Sequence, residues 1–225
     1  MALLEVCCGN LESVDAAAAG GARRIELCSA LEVDGLTPPV EWIREVRKRY
    51  PSLIIHVLVR SRAGDFVYTE EEVETMAAQV EEALEAGADG IVIGCLTAGG
   101  DVDVPAMERL VQTVGRVSIT FHRAFDVCKQ PFDALEQIIA LGCDRILTSG
   151  QGPTVVEGSD MLRELRKRAA GRIIILPGGG VTPRNAGRIL AMTGCKEIHA
   201  SASETLDGKK VTSAAKVAAI LNSIE

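Results

Sequence analysis

Aromatic side chains are scarce in this 225-residue chain, at 3%, and no apolar run approaches the length needed to cross a membrane. A basic patch is also missing. With a formal net charge of −7, nucleic acid and membrane surfaces are not expected as partners. Met1-Ala2-Leu3-Leu4 meets Glu5 without a charged n-region or a long apolar core, so a secretory leader is not expected either. No low-complexity linker divides the chain. The seven cysteines lack both an even count and the close spacing of a zinc motif, which argues for free thiols in a reducing, cytoplasmic setting. What the chain does have is aliphatic bulk. Apolar residues make up 47%, mostly Ala, Val, Leu and Ile, as suits helices packed on a buried parallel sheet.

Eight short β-like runs alternate with eight helix-like runs. The predicted strands are Leu3 to Cys8, Arg24 to Ser29, Ile54 to Arg60, Gly90 to Leu96, Val117 to His122, Arg145 to Ser149, Arg172 to Leu176 and Glu197 to Ser201. Leu11 to Ala19 reads as the first helix. The second is entered through Thr37-Pro38-Pro39, with Thr37 as the capping oxygen, and the third through a Thr69/Glu72 capping box. Further helices are expected near 104–114, 131–141, 159–169, 183–193 and 212–222.

A repeat sharpens this pattern. Gly21-Ala22-Arg23-Arg24-Ile25, Gly87-Ala88-Asp89-Gly90-Ile91, Gly142-Cys143-Asp144-Arg145-Ile146 and Gly194-Cys195-Lys196-Glu197-Ile198 each end a helix on Gly and open a strand on Ile. The repeat precedes every second strand, which predicts a TIM (β/α)8 barrel formed by residues 1–225 as one domain. An open doubly wound sheet would not explain such even spacing. Strand alternation then turns Ile25, Ile91, Ile146 and Ile198 toward the helices, and Glu26, Cys28, Ser149, His199 and Ser201 toward the barrel axis. Extended to the other strands, it points Glu5, Cys7, His56, Arg60, Thr120 and His122 inward. Groups of this kind, buried without partners, cost several kcal/mol each, so they are expected to form a connected network or to bind something.

Three stretches carry candidate chemistry. Thr120-Phe121-His122-Arg123-Ala124-Phe125-Asp126 sets His122, Arg123 and Asp126 where a strand gives way to a loop, the end at which barrel enzymes do chemistry. With Glu26, they would be the catalytic groups of an enzyme acting on a small anionic or phosphorylated substrate, His122 serving as acid and base. Pro177-Gly178-Gly179-Gly180 leads into a helix and offers bare backbone amides to an anion, with Ser149 and Ser201 beside it and Arg60 as a clamp. Cys7 and Cys28 point inward from neighbouring strands, and such a thiol pair suits the soft ion Cu(I); two small buried hydrophobes are the plainer alternative. Cys95, Cys143 and Cys195 read as space-fillers, and Cys128 as an exposed loop thiol.

The chain also resembles the CutC family of copper-homeostasis proteins, from Glu5 to Ser201. The resemblance rests on Glu5-Val6-Cys7, Arg24-Ile25-Glu26-Leu27-Cys28-Ser29, Gly35-Leu36-Thr37-Pro38 and Arg60-Ser61-Arg62-Ala63-Gly64-Asp65-Phe66. It continues through the His122 stretch, Leu147-Thr148-Ser149-Gly150, the three-glycine stretch and His199-Ala200-Ser201. It implies a TIM barrel, cytosolic copper handling with Cu(I) on Cys7 and Cys28, and a homo-oligomer. Asp34, Ser61 and Ala63 depart from residues usual in that family, which are Gly, Pro and Gly.

Overall fold

The order β7-β6-β5-β4-β3-β2-β1-β8 arranges eight parallel strands side by side, and a bridge between Gly178 and His199 joins the two ends into a barrel. In this computed structural model, which describes residues 2–206 and 209–225, the strands are β1 Leu3–Cys8, β2 Arg24–Leu27, β3 Ile54–Leu58, β4 Gly90–Ile93, β5 Ser118–Phe121, β6 Arg145–Thr148, β7 Ile174–Pro177 and β8 Glu197–Ala200. The helices around them are α1 Leu11–Ala19, α2 Val40–Arg49, α3 Glu70–Glu85, α4 Val104–Val114, α5 Pro131–Ala140, α6 Ser159–Ala169, α7 Ala186–Thr193 and α8 Ala214–Ser223. The fold is therefore the TIM barrel that the repeat predicted.

Local chemistry accounts for the boundaries. Thr69 and Glu72 close the expected capping box on α3, and Pro131 opens α5 at its first turn. Each repeat glycine (Gly21, Gly87, Gly142 and Gly194) takes a positive φ at the end of its helix. Thr37 differs from expectation. Its hydroxyl donates to Gln79 at 2.7 Å, lies 3.1 Å from the Arg60 carbonyl and accepts from the Arg60 amide, so it ties the β2 loop to β3, and α2 begins only after Pro39. Ser201 differs too. β8 stops at Ala200, so alternation ends before it; its side chain is exposed, 3.1 Å from the Ser203 hydroxyl. Two elements escaped the sequence reading: a hairpin of β9 Ser203–Leu206 and β10 Lys209–Thr212, and short 3-10 turns at Leu31–Val33 and Arg123–Val127. The first of these turns ends on Asp34, whose φ of 66° is one that the family's usual Gly adopts without strain.

The register follows the repeat. Ile25, Ile91, Ile146 and Ile198 belong to the layer between sheet and helices, together with Val14, Ile43, Val80 and Leu110. A separate small cluster of Cys28, Leu58 and Val92, with Cys7 packed on it, lies on the strands' other face, inside the barrel. β4 is notched to admit its neighbours' histidines. A Cβ on Gly90 would stand 2.6 Å from the His56 ring, and one on Gly94 2.5 Å from the His122 ring. Rings held between strands cannot give way freely, so Gly90→Ala and Gly94→Ala are each expected to cost about 1–3 kcal/mol. Urea unfolding measures this; midpoints unchanged from wild type would contradict the notch.

Candidate functional site

The barrel interior is built on ion pairs rather than branched aliphatics. At its N-terminal end Glu197 accepts from Arg24 and from Arg145, whose Nε is 2.8 Å away. Arg24 reaches on to Glu5, 2.7 Å from its Nε. Glu5 has no exposed surface, and its carboxylate also lies 3.0 Å from His56 Nδ1 and 2.9 Å from His199 Nδ1. Burial alone would raise the Glu5 carboxyl. The hydrogen bonds from His199 and His56, with the charges of His56 and Arg24, outweigh it and hold the group well below the usual carboxylate range. His199 goes the other way: burial lowers it, but the Glu26 charge and the bonds to Cys7 and Glu5 hold it protonated, well above 6.5. Glu26, 3.7 Å from His199, is pushed up to about 7 by burial against the pull of His199. Arg24, Arg145 and Glu197 were not singled out in the sequence. They sit one alternation step before Glu26, Leu147 and His199, so the repeat already carried that signal.

Above these ion pairs stand the two thiols. Cys7 Sγ and Cys28 Sγ are 3.8 Å apart, and Cys28 also donates to the Cys8 carbonyl at 3.5 Å. Parallel pairing sets Cys7 opposite Glu26, which leaves Cys28 one inward step higher. Cys7 is partly exposed and Cys28 buried. The bond to Cys28, and then burial, raise the Cys7 thiol well above its ordinary value. Glu26 brings an oxygen within 4.8 Å of both sulfurs, and Glu5, Glu26 and His199 form a second ligand-like cluster deeper in. Cys8, Cys95, Cys143 and Cys195 fill the helix-side layer. Cys128 joins them there; it is buried, its thiol directed at the Ala124 carbonyl, and not exposed as expected.

His122 and Arg60 lie against one ring at the mouth. The His122 ring lies 4.9 Å from the Phe66 centroid and the Arg60 guanidinium 5.1 Å from it. Burial, then the Arg60 charge, lower His122 to about 3. So placed, the ring is held neutral at neutral pH. Arg60 donates to the carbonyls of Val33, Gly35 and Gly64 and so staples two mouth loops.

The remaining candidates form a third group. Asp126 accepts from Arg123 Nε at 2.8 Å, from the Ser149 amide at 3.0 Å, from the Gln151 amide at 3.2 Å and from the Thr148 hydroxyl. Ser149 donates to the Gly152 carbonyl, and the half-exposed Arg123 packs over Gly179. Gly178 packs on Leu147 and His199, and Gly180 on Thr154. Arg123, Asp126 and Ser149 are thus engaged in ordering the loops after β5, β6 and β7. Ser201 stands apart with Ser203.

The parallel strands, closed around a charged interior, make the chain a TIM barrel with a polar core. The sequence profile of the CutC family matches residues 2–204, and the chain belongs to that family. It is 50% identical over 200 residues to a family protein CutC of Parabacteroides distasonis, covering 89% of this chain and 82% of the relative. A family protein CutC of Chromobacterium violaceum is 45% identical over 200 residues, covering 89% and 81%. Among solved structures, one from Streptococcus agalactiae, described as a proposed copper homeostasis protein CutC, superposes with a TM-score of 0.86 at 33% identity, covering 89% of this chain and 99% of that one. The phosphoribosylanthranilate isomerase of Pyrococcus furiosus, at 14% identity and a TM-score of 0.62, shares the fold alone. Among the described residues no helix is long and apolar enough to cross a membrane.

The lowered His122 makes a signed prediction. Its folded value of about 3 lies below the reference of 6.5, so the unfolded chain binds the proton more readily between them. Stability from this residue is whole above 6.5 and falls as pH drops, by about 1.4 kcal/mol per unit. Glu26, raised to about 7, acts in the opposite sense over part of this range, so the readout is a difference between two proteins. From pH 6.5 to 5, wild type is expected to lose about 2 kcal/mol more than His122→Gln in denaturant unfolding. Parallel loss in both would show that His122 titrates normally.

Proposed function

We propose that this chain handles copper as cargo, holding one Cu(I) between the thiols of Cys7 and Cys28. The 3.8 Å between the sulfurs carries the reading. Two thiolates on one ion, with bonds near the Zn–S length, stand about 4–5 Å apart, so a sub-ångström opening seats the metal. Soft sulfur donors select Cu(I) over the harder cations that oxygen and nitrogen would prefer. The ion must displace the thiol proton that the Cys28 bond and burial hold on Cys7. The description given to the Streptococcus agalactiae relative supports the same cargo. A reducing cytosol and a homo-oligomer complete the proposal. The first is supported by seven cysteines that are all free, the second by the family resemblance alone.

Anaerobic Cu(I) titration against a competing chelator tests it. Wild type is expected to take one tight equivalent. Cys7→Ser and Cys28→Ser should each weaken it by more than the about 10–100-fold typical of an outer-shell change. Cys143→Ser, in the helix-side layer, should match wild type. Unchanged stoichiometry and affinity in the Cys7→Ser/Cys28→Ser double variant would refute the proposal.

A further inference from the structure

Arg60 is a buried cation without a counter-ion. It is 3% exposed, and among the described residues no carboxylate lies within 4.0 Å of it, the distance that defines the ion pairs found elsewhere in the barrel. The interior carboxylates all face other cations: Glu5 faces Arg24, Glu197 faces Arg24 and Arg145, and Glu26 faces His199. A guanidinium has five N–H donors, and three go to the carbonyls of Val33, Gly35 and Gly64. The Nε–H and one Nη2–H remain; the Nε atom is buried and has no partner in bonding geometry among the described residues, and the Tyr68 hydroxyl beside the guanidinium is itself buried and unpartnered.

His122, 5% exposed, adds a second uncommitted donor. Its Nδ1 accepts the Ala124 amide at 3.2 Å, which fixes the ring proton on Nε2. That Nε2 is likewise buried and unpartnered, as is Thr120 Oγ1 on the same inward row of β5. Phe66 stands against both Arg60 and His122, and the Arg60 charge is felt at the His122 ring. The low titration of His122, to about 3, agrees with a ring that donates as neutral imidazole beside a fixed cation. A buried donor left unmade costs free energy, and here donors gather around a charge of one sign.

We propose that Arg60, His122 and Thr120 form a receptor for the carboxylate of a small monoanion, separate from the thiol pair. The ligand must be rich in acceptors, because the uncommitted Arg60 and His122 groups only donate. One net positive charge matches a monoanion better than a phosphate dianion, and two N–H groups on one fork match the two oxygens of a carboxylate. Nε2–H of His122 then serves a neighbouring oxygen, such as an α-carbonyl or α-hydroxyl. The inference does not rest on copper binding.

The test uses the intact chain without added metal, with acetate, glycolate, pyruvate and inorganic phosphate as probes at matched ionic strength. The His122 side-chain nitrogens, followed by long-range 15N–1H correlation, report binding directly. Pyruvate or glycolate is expected to shift Nε2 saturably and more tightly than phosphate does. Thr120→Val and Arg60→Lys should each weaken binding about 10-fold. If Arg60→Lys loosens the loops it staples, Thr120→Val and the wild-type titration still decide. No saturable shift with any carboxylate, tighter binding of phosphate, or affinity unchanged in His122→Phe by calorimetry would each overturn the proposal.

Discussion

A carboxylate wholly removed from water, Glu5, imposes the arrangement of this barrel. Desolvating an ion costs several kcal/mol, and only close cations and hydrogen bonds offset that. Arg24, His56 and His199 supply them from β2, β3 and β8, so one β1 side chain links four strands. Arg24 in turn needs Glu197, and Glu197 serves Arg145 on the far side. Histidine rings in a barrel this narrow need room, and Gly90 and Gly94 provide it. Glu5, the ion pairs and the Gly90 notch therefore stand or fall together. Losing one partner leaves a buried charge uncompensated, which typically costs about 3–5 kcal/mol.

The polar interior is divided by chemistry. Cys7 and Cys28 rest on Leu58 and Val92. Uncommitted nitrogen donors gather around Phe66. A soft cation and a small anion would thus find different surroundings at one mouth. Arg60 holds the loops after β2 and β3 together through carbonyls, and Asp126 orders the loop after β6 through two backbone amides. The mouth is shaped by hydrogen bonds to main chain, which depend on loop geometry more than on side-chain identity.

That distinction explains what the sequence could reveal. Period-two alternation and a glycine-marked repeat carry the barrel, the outward Ile set and the inward Glu26, Cys28 and His199, because a one-residue slip would reverse all of them. The same rule reaches Arg24, Arg145 and Glu197, which open their strands. Alternation fails at Ser201, where the strand has ended and a hairpin begins. It turns Arg60 inward but says nothing of its partners, nor of those of Asp126 and Thr37, which belong largely to loops without periodicity. The near-neutral acid–base role of His122 could not be tested by pattern either; burial and the Arg60 charge set its titration, and both are properties of the folded mouth.

The proposed seat for one Cu(I), on the sulfurs of Cys7 and Cys28 alone, has a direct spectroscopic signature. Copper K-edge absorption of the anaerobically loaded protein reads it, because the fine structure distinguishes sulfur from nitrogen and oxygen. A two-coordinate Cu(I) edge is expected, with a sulfur-only shell that disappears in the Cys28→Ser protein. A shell of nitrogen or oxygen scatterers, as Glu26 and His199 would give, would contradict it.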